Sequence, residues 1–124
     1  MSDVQLYLIE AGKNKDEARR IAQQTATRLE RKELKLVSLV EGIGEYINNE
    51  DAKLRANSLA YLAEVLQCVP RGVLSLQQRA LLTEFILSRI EDDREGTAYC
   101  AQALIALEDR GKWDQDTAAK IMST

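Results

Sequence analysis

The sequence predicts an all-α fold of antiparallel helix pairs, and three observations carry that reading. Apolar residues recur at three- and four-residue spacing in one segment after another. The segments are separated by Gly12, Asn48–Asp51, Pro70, Asp92–Gly96 and Arg110–Lys112, which turn the chain or stop a helix. Two of the resulting pairs look alike at a fixed offset, which is the mark of a repeat stack.

The first helix opens at Ser2, whose spacing to Gln5 is that of a capping box, and carries Val4, Leu6, Leu8 and Ile9 before Gly12 ends it. Asn14 is placed to cap the second helix, with Asp16 and Glu17 at the positive end of its dipole. Ala18, Ile21, Ala22, Thr25 and Leu29 form its inward stripe, while Arg19, Arg20, Gln24 and Arg28 face water. The third helix runs from about Leu34 to Asn48 with Leu36, Val37, Val40, Ile43 and Ile47 inward. Gly42 and Gly44 lower helix propensity there, which a close helix–helix contact would explain.

A fourth helix spans about Ala52 to Val69, with Leu54, Ser58, Leu62, Val65, Leu66 and Val69 inward, and ends because Pro70 disfavours helix in the residue before it. Ser75 and Gln78 form a second capping box and open a fifth helix to about Glu91, with Leu82, Phe85, Ile86 and Ile90 in its core. The sixth helix reaches about Glu108. Its Ala98, Ala101, Ala103, Leu104, Ile105 and Leu107 make an apolar surface wider than one neighbour needs. Trp113 to Met122 begins a further helix, giving about six to seven in all.

The 124 residues fit one domain with a core of its own. Hydrophobic residues make up 45% and charged residues 30%, a globular rather than disordered balance. The net charge of −3 favours neither phosphate backbones nor anionic membranes. With no signal-peptide pattern and no apolar run of membrane-spanning length, the expected location is the cytosol or nucleus.

Leu59 and Leu62 of the fourth helix match Leu104 and Leu107 of the sixth, 45 residues on. That period belongs to HEAT or armadillo solenoids, in which each helix pair buries its face on the next. The expected architecture is a HEAT-like solenoid stacked as a right-handed superhelix. It divides into a capping helix pair over 1–32, repeats over 34–69 and 75–109, and the start of another over 113–124. Asp51-Ala52-Lys53-Leu54-Arg55 resembles the opening of the second helix of a HEAT repeat. Asp51 can accept amide hydrogen bonds at a helix start. Arg55 lies in the first turn, where the dipole disfavours a cation, and gains from an acidic partner on a stacked repeat. The next repeat has Glu95-Gly96-Thr97-Ala98 at this place and lacks the pair.

Four stretches, Gln5–Ala11, Arg20–Ala26, Val40–Asn48 and Arg89–Asp92, resemble the N-terminus of fungal proteins of the MMS-nineteen family. The resemblance implies an N-terminal fragment of a long HEAT-repeat adaptor that delivers iron–sulfur clusters to DNA repair and replication enzymes. It further implies partners: a WD-propeller subunit, its small companion, and clients such as an XPD-type helicase. A helical scaffold from a transport or chromatin protein is an alternative, as is a VHS- or ENTH-like trafficking domain.

Residue chemistry points away from catalysis. The chain has no His, no nucleophile–base pair and no Gly-rich phosphate loop. Cys68 and Cys100 are too few for a cluster or zinc site, so no cofactor is expected and both read as buried thiols. Glu91, Asp92, Asp93 and Glu95 lack EF-hand spacing and read as a solvated turn. Arg28, Arg31, Lys32 and Lys35 are interrupted by Glu30 and Glu33, which argues for a solvated helix end rather than a nucleic-acid surface. Trp113 reads as a plug for the next repeat interface. Lys53, Asn57, Tyr61 and Glu64 fall opposite the inward stripe of the fourth helix and are the expected partner-binding surface.

Overall fold

The computed structural model describes residues 2–47, 49–70, 72–90 and 98–107, and every regular element among them is helical. The helices are α1 (Asp3–Ala11), α2 (Lys15–Glu30), α3 (Leu36–Ile47), α4 (Ala52–Cys68) and α5 (Leu76–Ile90), followed by α6 over 98–107. The expected turn at Asp92–Gly96, the carboxylates Glu91 to Glu95, and Trp113 with the helix after it lie outside the described residues.

Local chemistry sets the ends. Ser2 and Gln5 form the capping box of α1, each side chain bonding the other's backbone amide. Asn14 Oδ1 accepts from the Glu17 amide at 3.2 Å. Asp51 Oδ1 accepts from the Lys53 amide at 2.9 Å. Ser75 and Gln78 close a second capping box at the start of α5. At the end of α4, Val69 is extended (φ −70°, ψ 127°), as Pro70 demands.

The end of α2 is more unusual. The Lys32 amide donates to the Leu29 carbonyl at 3.2 Å and the Glu33 amide to the Arg28 carbonyl at 2.9 Å. These are the two bonds of a Schellman motif. They place Lys32 in the left-handed region, φ 62°, where glycine is the usual residue.

Helix α1 packs on α2 and α4, α2 on α4, and α3 on α4. Helix α4 is therefore central. Residues 59–63 are all buried, and five consecutive positions cover more than one helical turn, so α4 has neighbours on every side over that stretch. Leu62, Ala63 and Val65 have no exposure at all. Leu82 and Ile86 of α5 and Cys100, Ala103, Ala106 and Leu107 of α6 complete the same apolar core.

The inward stripe of α2 matches the sequence pattern, with Ala26 added. In α1, Tyr7 is buried beside Val4, while Leu6 and Ile9 turn outward. Two expectations need correction. In α3, Leu39 is buried and Val37 is 59% exposed, because the helix rotates so that Leu39, Ile43 and Ile47 meet α4. A Cβ on Gly42 would meet Val4 Cγ1 of α1 at 3.6 Å, an ordinary contact, and one on Gly44 would meet nothing within 4 Å. The glycines therefore do not mark a tight crossing.

Candidate functional site

The expected binding surface on α4 loses its central residue, Tyr61. Lys53 is exposed and Asn57 and Glu64 are half-buried, but Tyr61 is only 1% exposed. The correction follows from the position of α4. Helices α1 and α2 cover that face at Tyr61, which meets Tyr7 and Thr25 there.

Tyr61 instead anchors a polar chain across three helices. Its hydroxyl lies 2.6 Å from Thr25 Oγ1, and Thr25 donates to Asp3 Oδ2 at 3.0 Å. Arg28 Nη1 donates to the same Asp3 oxygen at 2.9 Å. Thr25 has no exposure, and burial pushes the Tyr61 hydroxyl up to about 12. The Tyr7 and Tyr61 rings are tilted at 51° with centroids 5.0 Å apart, within the range of favourable aromatic pairs. Burial raises Tyr7 as well, and the Glu64 carboxylate beside it adds to the shift. Burial likewise raises Glu64, and hydrogen bonding to Tyr7 works against that rise. Among the described residues Glu64 Oε2 is buried without a hydrogen-bond partner, while the Asp3, Thr25, Tyr61 and Tyr7 contacts tie α1, α2 and α4 together.

Asp51 is the cap that the sequence indicates. Arg55 Nη1 bonds the Asn49 and Glu50 carbonyls at 2.6 and 3.1 Å, which fastens the turn before α4. The basic patch divides. Arg28 pairs with Asp3, Arg31 borders a shallow hollow with Arg20, and Lys32 and Lys35 stand beside a much larger opening.

That opening is a groove of about 1130 Å³ between the α2–α3 turn and α3 on one side and the α4–α5 turn and α5 on the other. Leu34, Val37, Val40, Val73, Leu81 and Phe85 line it, with Glu30, Lys32 and Lys35 at its edge. Val37 and Leu81 are 59% and 60% exposed, so apolar surface lies open to water. Gly72, at φ 87°, makes the turn that forms part of the far wall. Val37, Val40 and Phe85, which the helical pattern turns inward, line this groove instead. The available signal was the doublets Leu36-Val37, Leu39-Val40 and Leu81-Leu82, in which one helix cannot turn both residues to the same neighbour.

Among the described residues, no group of three or more His, Cys, Asp or Glu side chains is placed to hold a metal ion. Cys100 is a buried thiol and Cys68 a half-buried one. Among these residues, no helix is long and apolar enough to cross a membrane.

Residues 40–124 match the model of the MMS19 N-terminal family, described as Dos2-interacting transcription regulator of RNA-Pol-II. The chain belongs to this family. It is also 29% identical over 90 residues to the DNA repair/transcription protein mms19 of Schizosaccharomyces pombe, an alignment covering 73% of this chain. The chain spans only 9% of that relative's length. No solved structure matches. The part that matches the MMS19 family includes all of α4 and α5, hence the central helix and the α5 wall of the groove, while Lys32, Lys35 and Val37 precede it.

Proposed function

We propose that this chain is a non-catalytic, protein-binding module from a HEAT-type adaptor of the MMS19 family, and that the adaptor serves DNA repair and transcription enzymes by helping to deliver iron–sulfur clusters. Family membership supports the cellular role. The open apolar groove between α3 and α5 is the observation that carries the binding role, since apolar surface of this extent fits a partner. In this reading the helix pairs α1/α2 and α3/α4 are the first units of a right-handed solenoid. The parent protein works in the cytosol and nucleus, with a propeller subunit, its small companion and cluster-bearing clients such as an XPD-type helicase. No reaction and no resident cofactor is assigned to this chain.

The test is to tag the full-length parent in its own cell and identify what co-purifies. Recovery of the propeller subunit, its companion and cluster-bearing DNA enzymes is the expected result. Recovery of transport or chromatin components in their place would overturn it. Sedimentation with anionic liposomes would do the same in favour of a trafficking domain.

A further inference from the structure

We propose that the α3/α5 groove receives an amphipathic helix from a partner protein, with an apolar face on the groove floor and acidic residues along its flank. This deepens the binding-module reading and rests on it.

Size is the first ground. About 1130 Å³ exceeds the roughly 300–1,000 Å³ of a small-molecule site and has room for several side chains in a row. The second ground is the nature of the walls. Both sides are helices and the turns that lead into them, with no strand among the described residues, so the groove offers no sheet edge on which an extended peptide could add a strand. An occupant must satisfy its own backbone and contribute only side chains, as a helix does. Val37 and Leu81 are the most exposed apolar residues of the lining and are the contacts such a helix would cover.

Charge supplies the third ground. The chain as a whole carries −3, yet the charged residues of this lining are Lys32, Lys35 and Glu30, a net positive edge. That edge matches an acidic flank and repels a basic one. Lys32 adds a further observation. Its backbone sits at φ 62°, where glycine would carry no strain, so the α2–α3 turn has no need of a lysine side chain at that point. The side chain stands at the groove in spite of the backbone it requires.

The test uses the 124-residue chain and two dye-labelled designed helical peptides of about 18 residues with one leucine face, one flanked by Glu and the other by Lys. Fluorescence anisotropy should show the Glu-flanked peptide binding roughly tenfold or more tightly than the Lys-flanked one. Val37→Glu and Leu81→Glu should each weaken it by about tenfold or more, whereas Leu87→Glu, on exposed α5 surface outside the groove, should leave it unchanged. Reversing Lys32 and Lys35 together to Glu should invert the preference between peptides. All these positions are exposed, and unchanged thermal melts would show that the variants fold.

Equal affinities that ignore the groove variants would overturn the proposal. So would a dimer in sedimentation that Val37→Glu abolishes, which would make a second copy the occupant, or vesicle binding lost with the lysines. If the peptides fail while the full-length parent still recovers its propeller subunit and clients, only the groove assignment falls. If they bind as expected and the parent recovers none of these, the adaptor reading falls and the groove stands.

Discussion

Two interfaces in this chain are built from helices of similar length and end in opposite states. Helix α2 packs on α4, and Ala18, Ala22 and Ala26 of the one and Ala56, Ala60 and Ala63 of the other are all buried. The Asp3–Thr25–Tyr61 chain crosses this closed seam and fastens it. Across the groove, Leu36, Val37 and Val40 face Leu81, Leu82 and Phe85. The space between them is open, and Val37 and Leu81 are more than half exposed. The comparison teaches that apolar side chains alone do not close a seam: the Thr25–Tyr61 bond crosses the closed one, and the open one remains available to a partner.

The largest effect that would break this contrast is at Tyr61. Tyr61→Ala removes a fully buried ring, its contact with Tyr7 and its bond to Thr25, and should cost about 3–5 kcal/mol. Leu81→Ala in the open groove should cost no more than about 0.5 kcal/mol, and urea unfolding of the two variants measures the difference. Thr25→Val comes next. It keeps the shape but leaves the Tyr61 hydroxyl and Asp3 without their shared partner, a loss of about 1–3 kcal/mol. Adding Tyr61→Phe should cost less than the two single losses combined, since the hydroxyls act on one another.

How far the sequence revealed this structure follows the same division. Helix α2 has one apolar face and one charged face, so its period placed every inward residue except Ala26. Helix α4 carries apolar or small residues almost all round, and periodicity cannot choose a wet face on such a helix. The pattern therefore leaves Tyr61 on the outward face, whereas a threonine hydroxyl on a different helix holds it inward. Caps were legible because they are local: Ser2, Asn14, Asp51 and Ser75 each bond an amide two or three residues away. The groove was not, because it depends on how far apart two helices from different pairs are held.

Two smaller effects sharpen the comparison. Lys32→Gly relieves the left-handed backbone and should stabilise the chain by about 0.5–1 kcal/mol after the added freedom of the unfolded chain is deducted. The same change should weaken the acidic peptide, so stability and binding would move in opposite directions. The smallest effect is on pH dependence. Burial raises Glu64, so between its ordinary value of about 4.3 and the raised one the folded state holds more protons than the unfolded state. Its contribution is greatest when protonated, and stability falls as pH rises through that window. Glu64→Gln should flatten the fall in the urea midpoint. Tyr61 has the same sign at alkaline pH, losing stability from about 10 upward to about 12.

The decisive measurement is a methyl-resolved NMR titration of the chain with the Glu-flanked peptide. Saturable shifts concentrated at Val37, Val40, Val73 and Leu81, with Leu62 and Val65 of the closed interface unmoved, are the predicted result. Shifts centred instead on the exposed Leu6 and Ile9 of α1 or Ile105 of α6, or none that saturate, would contradict it.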